Sequence, residues 1–240
     1  MKFITIVAIV ISALIQNGWS CRTIEELDEC AYSFDILTNT GIPIPKNDQE
    51  VQDLCDKTQS GLKCLSDDAK ECAKGSVKAV LVKVITDLAN GINQRCADSG
   101  ERAEFAKHVQ CFHDESKAAP IRNCVNRHIV MMERVSNLDK PLRLGGACCG
   151  SHYYRKCLID SIQQSCGGDS ADYFNEVIDA AIGQNMELMC KDLSDTDKCE
   201  AKYDSTTLTE LKTIMESSEP IQSNQYKTLI PIIVKMLREA

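Results

Sequence analysis

The sequence predicts an all-α extracellular protein: a disulfide-stapled helical array built from two related repeats, with a helical C-terminal extension. Three observations predict it. Cys30, Cys55, Cys72 and Cys96 recur as Cys124, Cys149, Cys166 and Cys190 when 94 is added to each number, and self-similarity at a fixed offset marks a tandem architecture. Apolar residues between these cysteines recur at helical spacing, with polar residues between them. Few β-branched alternations bounded by turn residues occur, so strands are not expected to dominate.

The chain opens on an address. Lys2 supplies a positive start, residues 3–15 form an apolar run, and Gly18-Trp19-Ser20 offers small residues for cleavage. That layout is a secretory signal peptide over residues 1–20, too short and wrongly flanked for a membrane span. No later run reaches the length of about 18 apolar residues that would cross a bilayer. The mature chain is expected to begin near Cys21 and to be secreted. All 14 cysteines lie at or after that point. An even number in an oxidising compartment argues for seven disulfides and leaves no thiol over for nucleophilic chemistry. The net charge of −8, or −9 once Lys2 leaves with the leader, disfavours nucleic acid and anionic membranes as partners. No N-x-[ST] acceptor follows residue 20, so N-glycosylation is not expected.

The first repeat, 21–106, reads C-x8-C-x24-C-x8-C-x7-C-x23-C from Cys21 through Cys30, Cys55, Cys64 and Cys72 to Cys96. The second, 107–199, reads C-x12-C-x24-C-x7-C-x8-C-x23-C from Cys111 through Cys124, Cys149, Cys157 and Cys166 to Cys190. Cys64 and Cys157 miss the register by one, yet sit in the same string, Lys63-Cys64-Leu65 and Lys156-Cys157-Leu158. Cys148 and Cys199 stand outside the pattern and are candidates to pair with each other.

Thr23 and Glu26 form a capping box that opens a helix through Cys30. Helical segments are then expected near 49–60, 62–73, 77–95, 101–113, 120–136, 150–165 and 171–189. Ser76 and Ser170 read as N-caps of two matching helices. Their stripes run Val80, Val84, Leu88, Ile92 and Phe174, Ile178, Ile182, Met186, and core packing is the ordinary role for such stripes. The segments 41–45 and 141–146 read as irregular connections. Cys55 and Cys64, if carried by one helix, would lie about 13.5 Å apart along its axis, beyond disulfide reach, so each must bond a different neighbour.

The extension, 200–240, begins with an amphipathic helix at Leu208, Leu211 and Met215. A second apolar face follows at Leu229, Ile232, Ile233, Met236 and Leu237, with Pro231 near the helix start. This face either docks over the repeats or binds a partner protein or lipid.

Chemical motifs are weak. Cys148-Cys149-x-x-His152 resembles the active-site string of secreted calcium-dependent phospholipases, but Tyr153 stands where that motif has aspartate. The preceding 141–146 stretch carries only Arg143 as a charge. His108, Cys111 and His113 could be imagined as metal ligands, but Cys111 is better used in a disulfide. No G-x-S-x-G, C-x2-C or phosphate-cradling glycine motif occurs. No cofactor and no catalytic residue is expected.

The run C-x8-C-x7-C-x23-C-x14-C-x12-C from Cys55 to Cys124, with its Lys63-Cys64-Leu65 string and the amphipathic helix between Cys72 and Cys96, resembles the small haemolymph glycoprotein family of insects. Related uncharacterised arthropod cysteine-rich secreted proteins share it, and nematode cysteine-rich secreted domains are more distantly similar. The resemblance implies secretion and a helical disulfide scaffold, not a reaction. The expected function is therefore non-catalytic: binding an extracellular protein or carrying an apolar small molecule in body fluid. A venom or salivary component acting on a foreign protein is the alternative, and a lipid hydrolase the remote one. A carrier predicts an apolar cavity lined by several helices; a protein binder predicts an exposed apolar patch.

Overall fold

The computed structural model describes residues 21–33 and 35–238; the signal peptide expected over residues 1–20 lies outside them. Among the described residues the regular structure is helical, with no strand. The Thr23 hydroxyl accepts from the Glu26 amide at 3.2 Å while the Glu26 carboxylate accepts from the Thr23 amide at 2.8 Å, and this capping box opens α1, Ile24–Tyr32. An irregular connection through residues 35–47 leads to α2, Asp48–Cys72, and α3, Gly75–Arg95. Next come α4, Ser99–Val109, a 3-10 turn, Gln110–His113, and α5, Glu115–Ser136. Two further long elements are α6, Lys140–Cys166, and the rod formed by α7, Gly168–Ile178, a π-turn, Asp179–Gly183, and α8, Gln184–Met189. The chain closes with α9, Thr196–Lys202, α10, Ser205–Glu216, and α11, Ile230–Arg238.

Several boundaries depart from the sequence reading, each for a physical reason. Residues 49–60 and 62–73 are one helix, because the roughly 1 kcal/mol cost of a helical glycine at Gly61 is small beside the packing of a 25-residue rod. The 141–146 stretch is helical rather than irregular. Pro141 sits in the first turn of α6, where its missing amide is not needed. Gly145 and Gly146 let the Tyr203 ring lie directly on the helix: a Cβ at Gly145 would be 2.5 Å from that ring. The Tyr203 hydroxyl then donates to the Leu142 carbonyl at 2.7 Å. Ser76 and Ser170 are not N-caps, since α3 and α7 start before them. Ser170 is buried and lies 3.1 Å from His108 Nδ1.

Seven disulfides staple the helices: Cys21–Cys72, Cys30–Cys64, Cys55–Cys96, Cys111–Cys166, Cys124–Cys157, Cys148–Cys190 and Cys149–Cys199. Cys55 and Cys64 share α2 and bond different neighbours, as helical geometry demands. The expected Cys148–Cys199 bond does not form. Successive residues of a helix point about 100° apart, so Cys148 faces Cys190 at the end of α8 while Cys149 faces Cys199 on α9.

Two large apolar cores result, beside two small clusters around Val51 and Leu208. One gathers α5 and α6, with Ile121, Met131 and Ile162 fully buried, beneath Leu211 of α10. The other packs Leu27 of α1 and Leu62 and Leu65 of α2 against Leu81 and Ile85 of α3. Helix α11 belongs to both: Ile232 is buried in the first core and Val234 in the second. It is held from below by the segment before it, where the buried Asp28 carboxylate accepts from the Lys227 and Thr228 amides and the Thr228 hydroxyl.

Candidate functional site

Where the two cores meet they do not fill the space between them. A cavity of about 430 Å³ lies there, within the roughly 300–1,000 Å³ range of small-molecule sites. Its walls come from nearly every element. Val51 and Leu54 of α2 and Leu88 and Ile92 of α3 face Val125 and Ile129 of α5, Leu158 and Ile162 of α6, and Phe174 and Ile178 of α7. Ile36 and Leu37 of the first irregular connection and Thr228, Leu229 and Ile230 before and at the start of α11 complete it. The sequence stripes Leu88–Ile92 and Phe174–Ile178 thus do more than pack: both line the cavity.

The few polar groups on this wall are mostly occupied within the protein. Thr58 donates to the Leu54 carbonyl at 2.8 Å, and Thr228 is spent on Asp28. Asp35 accepts from the Leu37 and Thr38 amides and the Thr38 hydroxyl, which fixes the irregular segment at the rim. Tyr154 stacks on His128 with ring centroids 3.9 Å apart. Burial pushes the Tyr154 phenol well above its usual range, and the Asp35 carboxylate adds to the rise. Behind it, both ring nitrogens of His128 are buried without a hydrogen-bond partner. Burial alone drives its pKa down to about 3, so this imidazole is a neutral aromatic plate.

Arg95, at the end of α3, is the exception. Its side chain is 16% exposed and lines the cavity. Nη1 donates to Glu101 at 3.2 Å and the guanidinium sits 5.1 Å from the Tyr173 ring, but Nε is buried with no partner. Beyond it, the Tyr173 ring stacks on His108 at 4.3 Å, and burial pushes the Tyr173 phenol up to about 12 against the opposing pull of Arg95.

The residues singled out by motif are placed elsewhere. Cys148 and Cys149 are both in disulfides, and His152 donates through Nε2 to the Leu193 carbonyl at 2.7 Å. His108 is engaged by Ser170 and Glu104, Cys111 is bonded to Cys166, and His113 is exposed. Among the described residues no cluster of His, Cys, Asp and Glu forms a metal-ligand set, and no helix is long and apolar enough to cross a membrane.

The apolar tail face is turned inward. Leu229, Ile232 and Met236 pack on one core and Leu237 on the other, while Ile233 is half-buried. Asp28, Arg95, His128 and Tyr154 escaped the sequence reading. Only Asp28 left a trace there, a carboxylate in the buried register of α1 between Leu27 and Ala31.

No family model, curated protein or solved structure matches the chain.

Proposed function

We propose that the protein is a secreted, non-catalytic carrier of an apolar small molecule. The observation that carries this reading is the central cavity: about 430 Å³, walled by aliphatic and aromatic side chains from both cores and closed on one side by the tail. Its lining is almost wholly apolar, and such a recess offers water few hydrogen-bond partners. The seven disulfides fit an oxidising, extracellular setting, and they hold the walls apart without demanding that the space be filled.

The scaffold is, on this reading, a duplicated unit. Cys21–Cys72, Cys30–Cys64 and Cys55–Cys96 have the same order and connectivity as Cys111–Cys166, Cys124–Cys157 and Cys148–Cys190. In each set the middle helix carries all three cysteines that reach its two neighbours. The cavity then lies between the copies, and Cys149–Cys199 ties the extension to the second one.

A protein-binding role rests on a different feature, the exposed pair Leu188 and Met189 at the end of α8. The two readings separate by native mass spectrometry of chain purified without detergent from secreting cells, followed by denaturation and solvent extraction. A mass excess that extracts as an apolar compound supports the carrier. A bare chain that stays bare after incubation with lipid extract of the culture medium overturns it.

A further inference from the structure

Building on the carrier reading, we propose that the cargo is an apolar carboxylate whose head group is held by Arg95. A guanidinium has five N–H donors, and burying one is costly unless its charge and donors are met. Arg95 meets them poorly. Glu101 supplies one contact, at 3.2 Å, from a side chain that is itself 37% exposed, and the Nε donor is buried with nothing to donate to, as is that of Arg127, but of the two arginines only Arg95 lines the cavity. Native structures rarely leave such a donor unfilled without a reason, an absent ion or ligand being one. The missing group must be an acceptor, and a carboxylate satisfies two guanidinium donors at once in a planar, charge-assisted fork.

The surroundings favour that assignment over a neutral head group. Arg95 adjoins Cys96, whose disulfide to Cys55 clamps the end of α3 to α2, and the Tyr173 ring supports the guanidinium from one side. The cation is therefore positioned before any ligand arrives, which lowers the ordering cost of binding. The other charged group on the wall, Asp35, already receives three hydrogen bonds from its own loop. As an anion it repels a carboxylate, so the head is directed to Arg95 and the hydrocarbon to the walls formed by Leu88, Ile129, Leu158 and Ile178.

The test uses the full mature chain and Nile red, a neutral apolar dye, displaced by lauric or palmitic acid, by the matching alcohol and by the methyl ester. The acids are expected to displace the dye about tenfold or more better than the alcohol or ester, the range of a charge-assisted hydrogen bond. Arg95→Met should bring the acid-to-alcohol ratio toward one. Glu101→Gln, which releases Arg95 from its competitor, should raise acid affinity while leaving the ratio of alcohol to ester unchanged. Equal displacement by acid and ester, or an acid preference that survives Arg95→Met, overturns the head-group assignment and leaves the carrier standing. No binding of the dye or of any competitor overturns both. Should Arg95→Met fail to fold, the Glu101→Gln shift decides: unchanged acid affinity counts against the proposal.

Discussion

Asp28 and Thr228, two hundred residues apart in the chain, are joined by two hydrogen bonds to one carboxylate oxygen: the Thr228 amide at 2.8 Å and its hydroxyl at 2.7 Å. The other oxygen takes the Lys227 amide at 2.6 Å, and the Lys227 ammonium pairs with Glu29. A carboxylate buried on the inner face of α1 thus caps the strap that precedes α11. The same strap lines the cavity through Thr228 and Leu229, so one side chain links the ends of the described chain to the candidate site.

Asp28→Ala leaves the buried Thr228 amide and hydroxyl, and the part-buried Lys227 amide, without their acceptor. A loss of about 2–3 kcal/mol is expected, read from denaturant unfolding with disulfides intact. Hydrogen exchange should localise it, with Lys227 and Thr228 losing protection before residues of α5 and α6. Unchanged stability would mean that the strap is held by its apolar contacts alone.

His128 carries a pH dependence of definite sign. Its folded pKa, about 3, lies below its ordinary 6.5, so unfolding takes up a proton anywhere between those values. Its contribution is level above about pH 6.5 and turns against the folded state as pH falls toward 3, with a limiting slope near 1.4 kcal/mol per pH unit. His128→Phe keeps a ring to stack on Tyr154 and removes the proton site. The stability difference between variant and parent should therefore move in the variant's favour from pH 7 to pH 4.5. A difference that does not change with pH would contradict the neutral, unpartnered state of this ring.

The adjacent cysteines give a test by subtraction. Cys148→Ser should free Cys190 alone to alkylation, and Cys149→Ser should free Cys199 alone, because their partners are distinct. Labelling of Cys199 in the Cys148→Ser variant would instead restore the pairing suggested by the sequence.

Glycines separate by what a methyl group would meet. Gly145→Ala sets a Cβ 2.5 Å from a carbon of the Tyr203 ring, which is anchored at Leu142 and cannot step aside; a cost of about 1–3 kcal/mol is expected. Gly168→Ala, with nothing within 4 Å, should be neutral or stabilising by up to about 1 kcal/mol. Equal effects in thermal unfolding would contradict the close seat of Tyr203 on α6.

What could be read in the sequence was local. Helical spacing located α3 and the α7–α8 rod, and the Thr23–Glu26 box placed the start of α1 because capping is decided within one turn. The arithmetic of cysteines anticipated seven bonds, but choosing between Cys148 and Cys149 needed the direction in which each leaves α6. The 141–146 stretch misled because Gly145 and Gly146 serve a ring sixty residues away rather than a turn. The cavity was illegible for a related reason. Leu88 and Phe174 look the same in sequence whether they touch another side chain or face an opening, since a void is set by the fit of whole helices. Arg95 carries no signal either, as an arginine near a helix C-terminus is ordinary.

The most direct measurement is the binding of Nile red to the chain from Cys21 onward and to its Ile178→Trp variant, whose larger side chain grows from a half-buried wall position. One dye per chain is expected, with at least a tenfold weaker affinity in a variant whose circular dichroism and unfolding midpoint stay near the parent's. No dye bound, or equal binding by both proteins, would contradict the claim that the cavity is where this protein carries its ligand.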